Sequence, residues 1–308
     1  MTHSCDKIFL LTKYDDLYRQ MLQPWLSPDL QETDDLSQAN LLLADPPLAA
    51  KVINQHPQID WVQSTFAGVD ALLAPALRQD YLLSGVKGIF GPMISEYVLG
   101  YLLYHYRHMA HYQQQQNQRT WSMLAHQGLS NKTITILGTG SIGSHLATQA
   151  KQMGMRVFGV NRTGIPSAQG EWENTFHISE LSAALAQSDI VVNTLPSTAE
   201  TIAILNADVL QHCRNVLLFN VGRGDALNEA DLIKAIKEGW VAHAFLDVFL
   251  QEPLPDTHPF WRMSAITITP HVAAPSVPEA VFEVFTQNLK QWQQGLNPDF
   301  LVDFTKGY

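Results

Sequence analysis

Three charged residues follow apolar runs in the second half of the chain, and their types could do chemistry. Arg223 stands between Gly222 and Gly224 directly after NVLLFNV, Glu252 lies in DVFLQEPLP, and His271 in ITITPHVAAPS. A guanidinium is a permanent planar cation that can give two parallel hydrogen bonds to a carboxylate. A histidine exchanges protons near neutral pH, and a carboxylate beside it can orient the ring. Singly, each has an ordinary explanation: Arg223 pairing with Asp225, Glu252 as a loop acid before proline, His271 as a turn residue. In an open parallel sheet, however, ligands bind outside the carboxyl ends of the strands, where all three are expected.

Upstream, TITILGTGSIGSHLATQAKQMG holds Gly138, Gly140 and Gly143 in GxGxxG spacing. The spacing alone is weak. Here it follows an apolar run and opens a helical pattern, the context of a dinucleotide loop. Gly138 permits the tight turn, Gly140 leaves room for a pyrophosphate, and Gly143 lets helix and strand pack closely. The amides of Ser141 and Ile142 are expected to face the anion at the helix N-terminus. A fold that selects NAD usually places a carboxylate about 20 residues further on. Position 161, 23 residues after Gly138, is instead Asn161, followed by Arg162 and Thr163. A guanidinium with amide and hydroxyl donors suits a 2′-phosphate. The expected cofactor is NADPH, with NADH weaker.

These residues need strands to position them. Short apolar runs recur at 8–11, 41–44 and 61–64, then at 133–137, 156–160, 189–195, 215–221, 242–248 and 265–269. Continuous apolar strands spaced by helical patterns indicate an α/β chain with two parallel sheets, each covered on both faces. Helices are expected over 71–78, from a Ser95 cap through 118, and over 279–295 with a glycine stop. His105, His108 and His111 fall on the second of these. Steps of three residues turn a helix by about 300°, so the first and last lie about 120° apart and no metal is expected there. The QQQQNQ run reads as a solvated helix end.

Composition narrows the function classes. The chain has 308 residues, 46 % hydrophobic and 16 % charged, with a formal net charge of −10. That balance argues against a nucleic-acid partner. Cys5 and Cys213 have no CxxC spacing and read as thiols of a reducing compartment. The first apolar run is too short for a signal peptide, and nowhere do 18 apolar residues run together, so a cytoplasmic protein without a membrane partner is expected.

GTGSIG, NVGRGDALNEADLIKAI, FLDVFLQEPLP and TPHVAA, in that order, resemble the D-isomer-specific 2-hydroxyacid dehydrogenases, and the resemblance covers nearly the whole chain. The 95–121 stretch and short C-terminus look most like the glyoxylate/hydroxypyruvate reductase A-type branch. The resemblance implies two doubly wound parallel-sheet domains. A discontinuous flavodoxin-like substrate domain comprises 1–94 with 278–308, and a Rossmann dinucleotide domain comprises 95–277. It implies Arg223, Glu252 and His271 as the catalytic set. Backbone amides near Ala67, Gly68 and Val69, in STFAGVDAL, would hold the substrate carboxylate, and Leu195, Pro196, Thr201, Val221, Gly222 and Asp247 would line the cofactor. Asn161 replaces the acid of NAD-dependent members, and GPMISEY lacks an asparagine common before its serine.

The implied reaction is reduction of a small 2-oxo acid to the D-2-hydroxy acid. Arg223 binds the carboxylate and neighbouring carbonyl oxygen and stabilises the charge that grows there. Protonated His271 supplies the proton, and Glu252 orients it and favours its charged form. The flanking glycines are expected to let substrate and nicotinamide approach Arg223 closely. Phe66, Met93 and Trp261 are candidates for the pocket wall, and a homodimer through 95–112 is expected. Two other readings share the fold: a nucleotide-sensing corepressor-type scaffold, and an NAD-dependent enzyme working in the oxidative direction. Formate dehydrogenases carry glutamine where this chain has Glu252, so the acid favours hydroxyacid chemistry.

Overall fold

The computed structural model describes residues 5–125 and 127–307. Its contacts divide the chain into two units, Met1–Phe90 with Ser276–Tyr308, and Gly91–Pro275.

The first unit holds β1 (Asp6–Leu11), β2 (Leu30–Glu32), β3 (Leu41–Ala44), β4 (Trp61–Ser64) and β5 (Leu82–Ser84). They form one parallel sheet in the order β2-β1-β3-β4-β5, the flavodoxin-like arrangement. Leu42, Ala44, Val62 and Leu83 bury one face with Ile53, Ile59 and Leu72. The helix Pro278–Gln293 also belongs to this unit, and its residues make the unit discontinuous. Phe285 and Trp292 stack on Trp61 with centroids 5.8 and 5.6 Å away, and Asn288 donates to Gln63 at 2.8 Å.

The second unit holds β6 (Thr133–Leu137), β7 (Arg156–Asn161), β8 (Asn174–His177), β9 (Ile190–Asn193), β10 (Val216–Asn220), β11 (Val241–Leu246) and β12 (Ile266–Ile268). Their order is β12-β11-β10-β9-β6-β7-β8, again all parallel, which is the Rossmann order extended by one strand. Side chains alternate between the faces of a strand, so each strand feeds two cores. Ile190, Val192, Leu217, Phe219 and Phe245 enter one core. Val191, Val216, Leu218, Ala244 and Leu246 enter the other. The cover on both faces explains the unbroken apolar runs.

Two helical expectations need correction. Over 71–78 there is only the short 3₁₀ turn Asp70–Leu72. Pro75 disfavours helical geometry at Ala74 and removes an amide the helix would need. The long helix begins at Phe90, with Pro92 tolerated in its first turn, and ends at Tyr106. A second helix, Met109–Asn117, follows His108, whose φ of +51° breaks the spiral. Ser95 is therefore interior, and its hydroxyl donates to the Gly91 carbonyl at 2.8 Å instead of capping. Among the described residues, no helix is long and apolar enough to cross a membrane.

The three spaced histidines have separate environments. His105 faces His243 and Phe245, His108 Nε2 lies 3.0 Å from the Ala125 carbonyl, and His111 lies 2.9 Å from the Gln115 amide. His105 and His243 rings are 5.9 Å apart, and His243 also meets Thr267 Oγ1 at 2.8 Å. Burial, then the neighbouring His105, pushes His243 down to about 4, and burial also lowers His105. Unfolded histidines take up protons near 6.5, so between about pH 6.5 and 4 the unfolded chain binds more protons. Their contribution to stability is complete above that window and is lost as pH falls through it. His243→Gln is therefore expected to flatten the fall in Tm between pH 7.5 and 4.5. Parallel Tm curves for the two proteins would refute this.

Candidate active site

Because β6 to β12 are parallel, their carboxyl ends lie along one edge of the sheet. Along that edge stand, in spatial order, His271 after β12, Glu252 after β11, Arg223 after β10, Leu195 and Thr201 after β9, Gly138–Gly143 after β6, and Asn161–Thr163 after β7. The order reverses between β9 and β6, the switch point where such sheets bind ligands.

At one end, His271 Nδ1 lies 2.8 Å from Glu252 Oε2, and Glu252 Oε1 accepts from the Phe249 amide at 2.9 Å. A carboxylate accepts, so Nδ1 carries the proton in this pair and Nε2 is the nitrogen left for other chemistry. Both side chains are partly exposed, His271 at 53 % and Glu252 at 37 %, so the ring remains accessible to a ligand. His271 has φ +53°, a left-handed conformation that costs a non-glycine residue about 1–2 kcal/mol. Its own amide donates to the Asp247 carbonyl at 2.9 Å and helps to hold that geometry.

Arg223 is half-buried, and its Nη1 donates to the Gly222 carbonyl at 2.8 Å. Its loop is shaped by two asparagines that the sequence reading passed over. Asn193 and Asn220 close β9 and β10, both are fully buried, and Asn193 Nδ2 donates to Asn220 Oδ1 at 2.8 Å. Asn220 Nδ2 then donates to the Arg223 carbonyl at 3.0 Å, and Asn193 Oδ1 accepts from the Leu195 amide at 3.2 Å. The available signal was an amide side chain ending each of two otherwise apolar strands, IVVN and VLLFN.

The glycines beside Arg223 serve a purpose other than ligand approach. A Cβ on Gly222 would lie 2.7 Å from the Leu195 carbonyl oxygen, and one on Gly224 only 2.0 Å from the Phe249 carbonyl carbon. Protein backbone fills that space. The glycines let three strand-end segments touch, which draws Arg223 toward the segment carrying Glu252. Gly222 and Leu195 thus meet, while Pro196 is tied by its carbonyl to Thr201 Oγ1 at 2.6 Å. The Val221 amide donates to the Asn193 carbonyl at 3.1 Å.

The glycine loop opens the helix Ser141–Gln152 with Gly140 as its N-cap. Gly138 has φ +97°, and a Cβ on Gly143 would sit 2.0 Å from the Gly138 carbonyl oxygen. Those two glycines build the turn. A Cβ on Gly140 would meet nothing within 4 Å, so the space above it is open. The first amides of a helix, here including Ser141 and Ile142, have no intrahelical acceptor and favour an anion. Open space over a cradle of amides fits a pyrophosphate. Gly140→Ala should therefore keep the wild-type Tm yet weaken dinucleotide binding by about tenfold, about 1.4 kcal/mol. Equal loss of Tm and binding would contradict this division of roles.

Beyond β7, Asn161 has its amide committed within the loop. Its Nδ2 donates to Thr139 Oγ1 at 2.9 Å and the Ile165 carbonyl at 2.8 Å, while Oδ1 accepts from the Thr163 and Gly164 amides at 3.0 and 2.7 Å. The Thr163 hydroxyl also turns to Asn161 Oδ1, at 3.1 Å. Asn161 thus shapes the turn and Arg162 extends exposed from it.

In the first unit, Ala67, Gly68 and Val69 follow β4 at the carboxyl edge of their own sheet. Thr65 Oγ1 donates to Asp45 Oδ1 at 2.5 Å, and Asp45 Oδ2 accepts from the Lys13 amide at 3.1 Å, so one carboxylate ties the ends of β1, β3 and β4. Ser64 Oγ further donates to the Phe66 carbonyl at 2.9 Å, and Ala67 and Gly68 remain accessible. Phe66 and Met93 are half-buried, and Trp261 is exposed. Among the described residues, no group of three histidine, cysteine or acidic side chains could hold a metal ion.

A Rossmann-order sheet with a glycine cradle at its switch point and an imidazole–carboxylate pair along the same edge defines a dinucleotide-dependent dehydrogenase. Residues 99–273 match the family described as "D-isomer specific 2-hydroxyacid dehydrogenase, NAD binding domain". The chain is 33 % identical over 300 residues to glyoxylate/hydroxypyruvate reductase A of Yersinia enterocolitica, covering 93 % of this chain and 91 % of that one. The crystal structure of a D-isomer specific 2-hydroxyacid dehydrogenase family protein from Aeromonas salmonicida superposes with TM-score 0.90 at 40 % identity, covering 98 % of this chain and 100 % of that one. An NADPH-dependent glyoxylate/hydroxypyruvate reductase from Sinorhizobium meliloti, solved with NADP and sulfate, superposes with TM-score 0.85 at 26 % identity, covering 98 % and 100 %. The chain belongs to the D-isomer-specific 2-hydroxyacid dehydrogenase family and is an NAD(P)-dependent oxidoreductase of 2-oxo acids.

Proposed function

We propose that this enzyme reduces a small 2-oxo acid of the glyoxylate/hydroxypyruvate class to the D-2-hydroxy acid with NADPH. The carrying observation is the His271–Glu252 pair at 2.8 Å, on the same sheet edge as Arg223 and the glycine cradle. Relatives named for glyoxylate and hydroxypyruvate support the substrate class, and the NADP-bound reductase supports the cofactor. In this reading Met1–Phe90 with Ser276–Tyr308 binds substrate and Gly91–Pro275 binds dinucleotide.

Backbone amides near Ala67, Gly68 and Val69 hold the substrate carboxylate, and the Arg223 guanidinium binds the carboxylate and the carbonyl oxygen. Bound NADPH supplies the hydride that arrives at C2. Arg223 stabilises the negative charge growing on the carbonyl oxygen, and His271 gives that oxygen the proton from Nε2. Glu252 keeps the ring oriented through Nδ1. Leu195, Pro196, Thr201, Val221, Gly222 and Asp247 line the dinucleotide, with Gly138, Gly140, Ser141, Ile142 and Gly143 around its pyrophosphate.

Arg162 holds the 2′-phosphate, with Asn161 and Thr163 shaping the loop that presents it. A charge-assisted bond of about 1.5–3 kcal/mol gives NADPH about a ten- to hundredfold preference, lowered by exposure and salt. Arg162→Ala should weaken NADPH and leave NADH nearly unchanged, in kcat/KM for each cofactor. Preference of the wild type for NADH, or equal weakening of both cofactors, would overturn the assignment. Asn161→Asp is a poorer test, because a carboxylate would lose the two amide bonds that close the turn.

A second copy of this chain is the proposed partner of the 95–112 stretch, which exposes Tyr104, Met109 and Tyr112. A monomeric mass at micromolar concentration would refute the homodimer. The two cysteines without a redox spacing support a cytoplasmic location.

A further inference from the structure

We propose that Tyr97 and Thr269 are positioning residues for His271, acting through Asp247 as one hydrogen-bonded relay. The proposal rests on the reading of His271 as the proton donor.

Asp247 is 2 % exposed, and its carboxylate accepts three hydrogen bonds from the segment that carries His271. Oδ1 accepts from Thr269 Oγ1 at 2.6 Å and from the Val272 amide at 2.9 Å, and Oδ2 accepts from the Ala273 amide at 2.9 Å. The residues on both sides of His271 are therefore pinned to one buried carboxylate. Between them His271 keeps a left-handed φ of +53°, a conformation that relaxes unless its neighbours are held. Tyr97 OH lies 2.7 Å from Thr269 Oγ1.

The direction of the relay follows from counting protons. A hydroxyl has one proton, and Thr269 gives its own to Asp247, which as a carboxylate only accepts. Tyr97 must therefore be the donor to Thr269. Burial, helped by the nearby Asp247 charge, raises the Tyr97 phenol well above its usual range, so it stays protonated. Tyr97 is anchored in the helix Phe90–Tyr106, where its ring packs edge-on against Tyr101 at 4.9 Å. The relay thus ties the His271 segment to a helix on the face of the sheet.

Thr269→Val preserves shape and removes the hydroxyl. A donor misplaced by a fraction of an ångström to one ångström is expected to lower kcat by about ten- to a hundredfold, with KM for the 2-oxo acid and Kd for NADPH within about threefold of wild type. Thr269→Ser should restore kcat to within about threefold, since serine keeps the hydroxyl. Tyr97→Phe should lower kcat by about three- to tenfold, and adding it to Thr269→Val should have no further effect, because Tyr97 acts only through Thr269. The Nδ1 proton of His271, identified in the NMR spectrum by its loss in His271→Gln, should shift or vanish in Thr269→Val. Full kcat in Thr269→Val, failure of serine to rescue, additive losses in the double variant, or an unchanged Nδ1 resonance would each overturn the relay. Undiminished activity of His271→Ala would instead overturn the proton-donor reading beneath it.

Discussion

His271→Ala is expected to lower kcat by about 10²–10⁴, the range for losing a positioned proton donor. Because the ring is half exposed and its hydrogen bond goes to the partly exposed Glu252 at 2.8 Å, its removal should leave the fold intact. The loss should fall on kcat, with KM for NADPH nearly unchanged. Arg223→Ala should behave differently. It removes a group that binds the ground-state carboxylate as well as the growing oxyanion, so KM for the 2-oxo acid rises while kcat falls by about 10²–10³. Steady-state kinetics with glyoxylate and hydroxypyruvate separate the two patterns. Activity of either variant within threefold of wild type would remove that residue from the proposed mechanism.

Gly224→Ala is expected to damage catalysis almost as severely without touching a reacting group. The added methyl would stand 2.0 Å from the carbonyl carbon of Phe249, 2.1 Å from its oxygen and 2.6 Å from the Leu250 amide nitrogen, all backbone atoms that cannot swing aside. Phe249 also donates its amide to Glu252 at 2.9 Å. Separating the segments would displace Arg223 and Glu252 together, and misplacement on this scale costs about 10² in kcat/KM. Overpacking should add about 1–3 kcal/mol of destabilisation, visible as a lower Tm. NADPH affinity should fall less than kcat/KM, because the glycine cradle follows a different strand. A variant with wild-type kcat/KM and Tm would show that the two segments can part freely.

The candidate chemistry-bearing residues stand out in the sequence because their local patterns are short-range. GTGSIG needs only the strand before it and the helix after it, and both formed where the apolar runs end and the helical spacing begins. Buried strands such as TITIL and VLLFN are long enough to announce themselves. Strands β2, β5 and β8 escaped notice because LQE, LLS and NTFH are short and mix polar with apolar residues. Their pairing comes from neighbours in the sheet rather than from their own composition. The 71–78 helix failed for the opposite reason, as helical spacing was outweighed by Pro75.

Residue types and order along the chain determined the α/β class, the two sheets, the dinucleotide loop and the charged residues available for catalysis. Tertiary structure decided which of these meet. Glu252 and His271 are 19 residues apart in sequence, and only the adjacency of β11 and β12 brings Nδ1 and Oε2 within 2.8 Å. The same pairing turns Asp247 from a strand-end acid into the anchor of the His271 segment. The glycines beside Arg223 looked like room for a ligand, yet their missing side chains are replaced by the backbones of Leu195 and Phe249. Asn161, read as a donor for phosphate, spends its amide on its own turn. The physical reason is common to the first three. Hydrogen bonds and close packing have ranges of a few ångströms, and in a parallel sheet neighbours in space come from distant parts of the chain.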